Sequence, residues 1–117
     1  MNADLKYIEQ DNYMVIECSG LHDNEEFKSC INNVFCECER NKTTKVLIDV
    51  TKIEYPPKEI EKYMMGKYIA LVWGQKIKGV LLTKPETRTQ LIEDVVVNRG
   101  TSFKVYSCKK EAPAWLL

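Results

Sequence analysis

Two stretches of this chain do most to limit its fold. Lys45–Val50 (Lys-Val-Leu-Ile-Asp-Val) and Ile77–Thr83 are largely apolar runs of strand length. Such a run is covered on both faces, which is the condition of a parallel strand inside an α/β sheet. Between them, Pro56-Pro57 punctuates the chain and Ile60, Met64, Tyr68, Leu71 and Val72 recur at helical spacing up to Gly74. Proline suits a first helical turn, so this segment reads as a helix crossing between two parallel strands.

The rest of the chain extends that unit. Leu5–Gln10 and Tyr13–Ser19 are short runs rich in apolar and aromatic residues, parted by Asp11-Asn12. That arrangement predicts a β-hairpin with a two-residue polar turn, preceded by three frayed residues. Asp23 and Glu26 stand three apart, the spacing of a capping box. Phe27, Cys30, Ile31, Val34, Phe35 and Cys38 then form one apolar stripe that stops at Arg40-Asn41. Pro85-Glu86 opens a third helix carrying Leu91, Ile92, Val95 and Val96, and Asn98-Arg99-Gly100 closes it, with Gly100 suited to a positive φ. Phe103–Ser107 is a last strand. Ala112, Trp115 and Leu116 mark a short terminal helix that Pro113 shortens or bends. The expectation is a single α/β domain over residues 1–117, with a mixed five-stranded sheet (an N-terminal antiparallel hairpin, then parallel strands) and four helices.

Gly66-Lys67-Tyr68-Ile69-Ala70, Lys78-Gly79-Val80, Val97-Asn98-Arg99-Gly100, Phe103-Lys104-Val105-Tyr106 and Ala112-Pro113-Ala114-Trp115-Leu116 follow one another in order. This series, together with the element order, resembles the SpoIIAA-like (STAS-like, STAS/SEC14-like) family of small bacterial proteins. The likeness covers most of the chain from Lys45 onward. It implies a STAS-like fold and no defined activity. In phosphoswitching STAS domains, a strand-end turn resembling Ile48-Asp49-Val50-Thr51 is followed by a helix start bearing the phosphorylated serine. Here that helix start reads Tyr55-Pro56-Pro57-Lys58-Glu59-Ile60, with no Ser or Thr. The resemblance therefore implies a domain without that switch, Thr51 being the nearest hydroxyl.

Candidate functional residues gather where strands end, because ligand sites in open α/β sheets lie beyond the carboxyl ends of the strands. Asp49, Thr51, Lys52, Tyr55, Thr83, Lys84, Ser107 and Cys108 are expected at that edge. The plainer alternative is that Asp49 and Thr51 only bond loop amides and cap a helix. Arg99 precedes the last strand, so it belongs at the opposite edge and does not pair with Asp49. The second helix carries more apolar surface than one stripe needs. If residues 64, 68, 71 and 72 face the sheet, then Met65, Ile69 and Trp73 lie toward a flank. They form an interface, a self-association surface or a groove for a lipid-like ligand, or they are covered by the terminal helix with Trp115.

Five cysteines (18, 30, 36, 38 and 108) and one histidine, His22, are the thiol and metal inventory. Cys36 and Cys38 point to opposite sides of a helix and cannot share one metal; Cys30 and Cys38 read as small core residues. Cys108 near the start of the last helix has a physical basis for reactivity, but neither His22 nor a second cysteine is placed beside it in sequence. No phosphate loop or nucleophile–base pair is present. No cofactor is expected, and the first expectation is a non-enzymatic protein-interaction domain using Asp49, Thr51, Tyr55, Lys58 and Met65. The alternatives are a binder of a small apolar or lipid-like ligand, with a cavity under the second helix, and a thiol enzyme using Cys108.

The chain begins without an apolar leader and its longest apolar run, Tyr68–Trp73, is six residues. That is too short to span a bilayer, and the expectation is a cytoplasmic protein with reduced thiols. The formal charge is zero, which disfavours nucleic acid as a partner. The zero hides a polarity: residues 1–39 hold nine acids and two bases (net −7), and residues 40–117 hold eight acids and fifteen bases (net +7). Such a dipole favours an oriented protein contact, including one with a second copy of the chain.

Overall fold

A computed structural model describes residues 1–54 and 57–117. Among these residues the chain forms β1 (Asn2–Ile8), β2 (Tyr13–Gly20), α1 (Asn24–Asn41), β3 (Lys45–Ile53), α2 (Glu59–Trp73), β4 (Lys78–Leu82), α3 (Leu91–Asn98), β5 (Phe103–Tyr106) and α4 (Glu111–Leu116). The strands lie in the order β1-β2-β3-β4-β5. The β1–β2 pair is antiparallel and every later pair is parallel. The expected mixed five-stranded α/β sheet is the one formed.

Sequential strand order has a direct consequence. Each crossover steps the same way across the sheet, so helices of uniform handedness fall on one face. Accordingly α1, α2 and α3 pack side by side over the main core, while α4 covers β3, β4 and β5 from the other face. Alternation along the strands feeds both layers. Met14, Ile16 and Cys18 of β2 and Leu81 of β4 belong to the three-helix core; Leu47, Val80 and Leu82 meet Ala112 and Leu116 of α4.

The start of the chain is ordered rather than frayed. Asn2 pairs with Ser19 and Ala3 with Cys18, so β1 begins earlier than expected and ends at Ile8. The turn is four residues, Glu9–Asn12, and Asn12 takes a left-handed φ of 54°. Its Oδ1 accepts a 2.6 Å hydrogen bond from the Tyr7 hydroxyl, which fixes the wider turn. The Asp23 carboxylate caps α1 by accepting from the Glu26 amide at 3.0 Å. The reciprocal half of the capping box is absent among the described residues, because the Glu26 carboxylate instead meets the Met1 ammonium at 2.7 Å.

Two further expectations are corrected. Pro85–Thr87 forms only a 3-10 turn, and α3 starts at Leu91; the Arg88 amide returns to Pro85 O and ends that turn. The phase of α2 is also rotated. Met65, Ile69 and Trp73 are buried, whereas Met64 and Leu71 are exposed and Tyr68 is half-buried. Small residues set this phase. Gly66 lets α2 approach α3, since a Cβ there would lie 2.8 Å from Val95 Cγ1. Trp73 fills the space over Gly79 beside Phe103, with ring centroids 6.3 Å apart. Trp115 belongs to the α4 layer on the opposite face and does not cover α2.

Candidate functional site

The carboxyl edge of the sheet is shaped by an irregularity in β3. Opposite β2, the pairing moves from Glu17↔Asp49 to Ser19↔Lys52, so β3 carries one residue more than its partner. This is a β-bulge, which breaks the regular ladder and turns side chains. The Asp49 Oδ1 accepts two bonds inside it, from the Thr51 amide at 2.9 Å and the Thr51 hydroxyl at 2.6 Å. The strand runs on to Ile53, so Thr51 lies within β3 and not in a turn after it. The Asp49 carboxylate thus bonds an amide, as the plainer reading expects, but inside the strand instead of a loop, and neither side chain caps a helix among the described residues.

Beyond the bulge, β2 and β3 stay paired to Gly20 and Ile53. Next to these strand ends and the start of α2 is a cavity of about 230 Å³, lined by the apolar Cys18, Phe27, Val50, Ile53, Met65 and Ile92 and by polar groups that include Thr83, Glu86, Thr87 and Thr89. An apolar cavity under the second helix is one of the features the sequence reading allowed for. Met65 reaches this cavity from the buried side of α2, in place of the flank on which it was expected. Thr83 and Lys84 sit at the same edge as expected: Thr83 is buried, and Lys84 Nζ donates to Ile53 O at 3.4 Å. Lys58 is the exposed N-cap residue of α2, and its amide donates to Glu61 Oε1 at 2.8 Å. Tyr55 lies outside the described residues.

The thiols divide by burial. Cys18 and Cys38 are buried, and burial pushes each thiol up to about 12. Cys30 is half-buried and is pushed up for the same reason. Cys36 is exposed, on the other side of α1 from Cys38. Cys108 is exposed in the turn before α4, where its carbonyl accepts from the Glu111 and Ala112 amides at 3.2 Å. His22 lines the cavity instead, with Nε2 bonded to Asn24 Oδ1 at 2.8 Å. The histidine and this cysteine are therefore not brought together.

A second feature was misread in the sequence. The outer side of α2 presents Ile60, Tyr63, Met64 and Leu71 to solvent, with Val97 of α3 exposed nearby on the same layer. Leu71 is 78% exposed. A shallow groove here is bordered by Lys28, Lys67 and Arg99. Lys67 and Arg99 both stand over the Tyr63 ring, at 5.5 and 5.6 Å. Arg99 also donates to Val95 O and to the Tyr63 hydroxyl, both at 3.3 Å, which confirms its place away from Asp49. The repeat at 60, 64, 68 and 71 is the helical stripe visible in the sequence, and it faces outward instead of toward the sheet.

No protein-family model matches this chain, and a search of curated proteins finds no relative. Solved structures do match. RsbS from Moorella thermoacetica superposes with a TM-score of 0.64 at 14% identity, over 99% of this chain and 95% of the other. An uncharacterized DUF3478-family protein from Shewanella loihica PV-4, with a SpoIIAA-like fold, superposes with a TM-score of 0.60 at 18% identity, over 99% and 93% of the two chains. This chain has a SpoIIAA-like fold. The architecture implied by the resemblance in the second half of the sequence is thus the observed one. In this SpoIIAA-like frame the bulged β3 edge and the outer side of α2 are separate surfaces, joined by the N-terminal turn of α2. No helix among the described residues is long and apolar enough to cross a membrane.

Proposed function

We propose that this chain is a non-enzymatic, STAS-like regulatory domain that works by docking another protein onto α2. One observation carries the reading: α2 has two apolar stripes, and only one of them is used by the fold. Met65, Ile69 and Trp73 are buried, whereas Ile60, Tyr63, Met64 and Leu71 stay in water. Exposed Met and aromatic residues within a polar rim are the composition of a docking surface.

The rim supports a partner of one charge. Lys67 and Arg99 have no carboxylate partner among the described residues, and Lys28 pairs only with exposed Glu25 at 3.5 Å. Three cations around an apolar stripe fit an acidic, amphipathic segment of a partner protein. Charge complementarity of this kind orients the encounter and selects against wrong partners. Asp49, Thr51 and Lys58 supply the strand-end part of the proposed contact. The stretch from Tyr55 to Ile60 has no hydroxyl apart from Tyr55 itself, which supports a domain that docks without a phosphoserine switch. A soluble setting in the cytoplasm belongs to the same proposal.

The test is photo-crosslinking in the native cell, with a benzophenone amino acid at position 71 and a control at position 109. The expected result is a discrete protein adduct from 71 only, lost in Lys67→Glu and Arg99→Glu. Equal adducts from both positions, an adduct that survives both charge reversals, or an adduct consisting of a second copy of this chain overturns the reading.

A further inference from the structure

The sheet has two outer strands, β1 and β5. An edge strand leaves a row of backbone N–H and C=O groups open to pairing, and proteins commonly blunt it by shortness, proline or a bulge. β5 is blunted by length, at four residues. β1 is not. It is seven residues long, holds neither proline nor glycine, and pairs with β2 without a register shift from Asn2↔Ser19 to Ile8↔Tyr13. Its turn end is fastened by the Tyr7–Asn12 hydrogen bond, so little ordering is left to be done when a further strand docks.

The side chains of β1 match a reversed copy of themselves. Ala3, Leu5 and Tyr7 lie on the helix-covered face, opposite Cys18, Ile16 and Met14 of the main core. Asp4 and Lys6 flank Leu5 on the other face, and all three are exposed. Asp4 stands directly across from Glu17 and has no cation partner among the described residues, because Lys6 goes to Glu17 at 3.2 Å. Asp4 therefore faces a like charge inside its own sheet and lacks the opposite charge that a cross-strand neighbour can supply.

A second copy of β1 supplies it. A two-fold axis normal to the sheet keeps the helices of both copies on one side and centres an antiparallel pair of β1 strands on a single residue. Centring on Leu5 places Asp4 of each copy opposite Lys6 of the other, Leu5 against Leu5, and Ala3 against Tyr7. Centring on Asp4 or on Lys6 sets like charges face to face, which is destabilising. The strand carries one acid and one base, so the contact itself is neutral although the N-terminal part of the chain is acidic.

We propose that this chain forms a two-fold dimer by antiparallel pairing of β1 with β1 of a second copy, in the register centred on Leu5. The two five-stranded sheets become one continuous sheet. The contact is small, so the dimer is concentration-dependent. The outer side of α2 takes no part in it, and the inference does not rest on the docking reading.

Sedimentation equilibrium over a concentration series into the millimolar range tests this, with circular dichroism to check that each variant is folded. The expected result is a monomer–dimer equilibrium. Asp4→Lys and Lys6→Asp each weaken it about tenfold, since two opposite-charge pairs become two like-charge pairs. An equimolar mixture of the two variants sets acids opposite bases again and dimerises as the unmodified chain does. Should Lys6→Asp not fold, the double variant Asp4→Lys with Lys6→Asp decides, and it keeps the dimer. Leu71→Asp leaves the equilibrium unchanged. A monomer throughout the series, association undiminished by the single charge changes, no recovery in the mixture of folded variants or in the double variant, or loss of the dimer in Leu71→Asp overturns the inference.

Discussion

The Trp73 ring lies so close over Gly79 that any Cβ at Gly79 would overlap it. Helix α2 is thereby locked to β4 by a side chain with 0% exposure. Gly79→Ala forces the indole off its seat, and overpacking of this kind costs about 1–3 kcal/mol. Urea unfolding followed by circular dichroism reads that loss. Trp73→Phe relieves part of the overlap, so the double variant is less destabilised than the sum of the two single changes. Additive losses would show that the ring does not depend on the missing Cβ.

That contact also explains what the sequence could and could not show. The two apolar strand runs, the α1 stripe and the Asn98-Arg99-Gly100 stop are local patterns, and each gives the element it predicts. Gly100 takes its positive φ of 92°. The phase of α2 is not local. Its residues are apolar on two sides, so periodicity alone offers two stripes. The choice between them is made by Gly79 and Phe103 on the sheet and by Val95 on α3. The β3 bulge is hidden for a similar reason, since it exists only relative to β2. The cavity is legible as the strand-end edge where Thr83 and Lys84 fall and as the space under the second helix that an apolar ligand would need, but its lining depends on how α2 is phased.

The two bonds from Thr51 to Asp49 Oδ1 hold the bulge in one conformation. Asp49→Ala removes both, and at about 1 kcal/mol net per hydrogen bond the loss is about 1–2 kcal/mol. Asp49→Asn retains an acceptor oxygen and loses less. Thr51→Ala removes only the hydroxyl bond. In a double-mutant cycle, Asp49→Ala and Thr51→Ala couple by about 0.5–1.5 kcal/mol; a coupling of zero would mean that the hydroxyl bond contributes nothing to stability.

Thiol accessibility follows the same burial pattern. At pH 8, iodoacetamide labels Cys36 and Cys108 readily and leaves Cys18 and Cys38 unmodified until the chain unfolds, as intact mass and peptide mapping will show. Alkaline stability obeys the linked equilibrium. Burial raises Cys18 and Cys38 from 9.0 to about 12, so between these values the native state holds more protons than the unfolded state. The slope of stability against pH is then negative. The stabilisation is whole below pH 9 and is lost as pH rises toward about 12. Cys18→Ala with Cys38→Ala lowers overall stability but flattens that decline; an unchanged slope would assign it to other groups.

Leu71 and Ile69 are two positions apart on α2 and differ completely in exposure, at 78% and 0%. An aspartate at 71 meets water and leaves stability within about 0.5 kcal/mol, as is usual for surface changes away from structural features. An aspartate at 69 is buried among apolar neighbours with no cation to pair it, which is severely destabilising. Had the helix the phase that its first apolar stripe suggests, the two effects would be exchanged. Thermal unfolding of Leu71→Asp and Ile69→Asp therefore tests the orientation of α2 directly. An unfolded Leu71→Asp beside a stable Ile69→Asp would rotate the helix by about half a turn and remove the exposed stripe on which the docking surface rests.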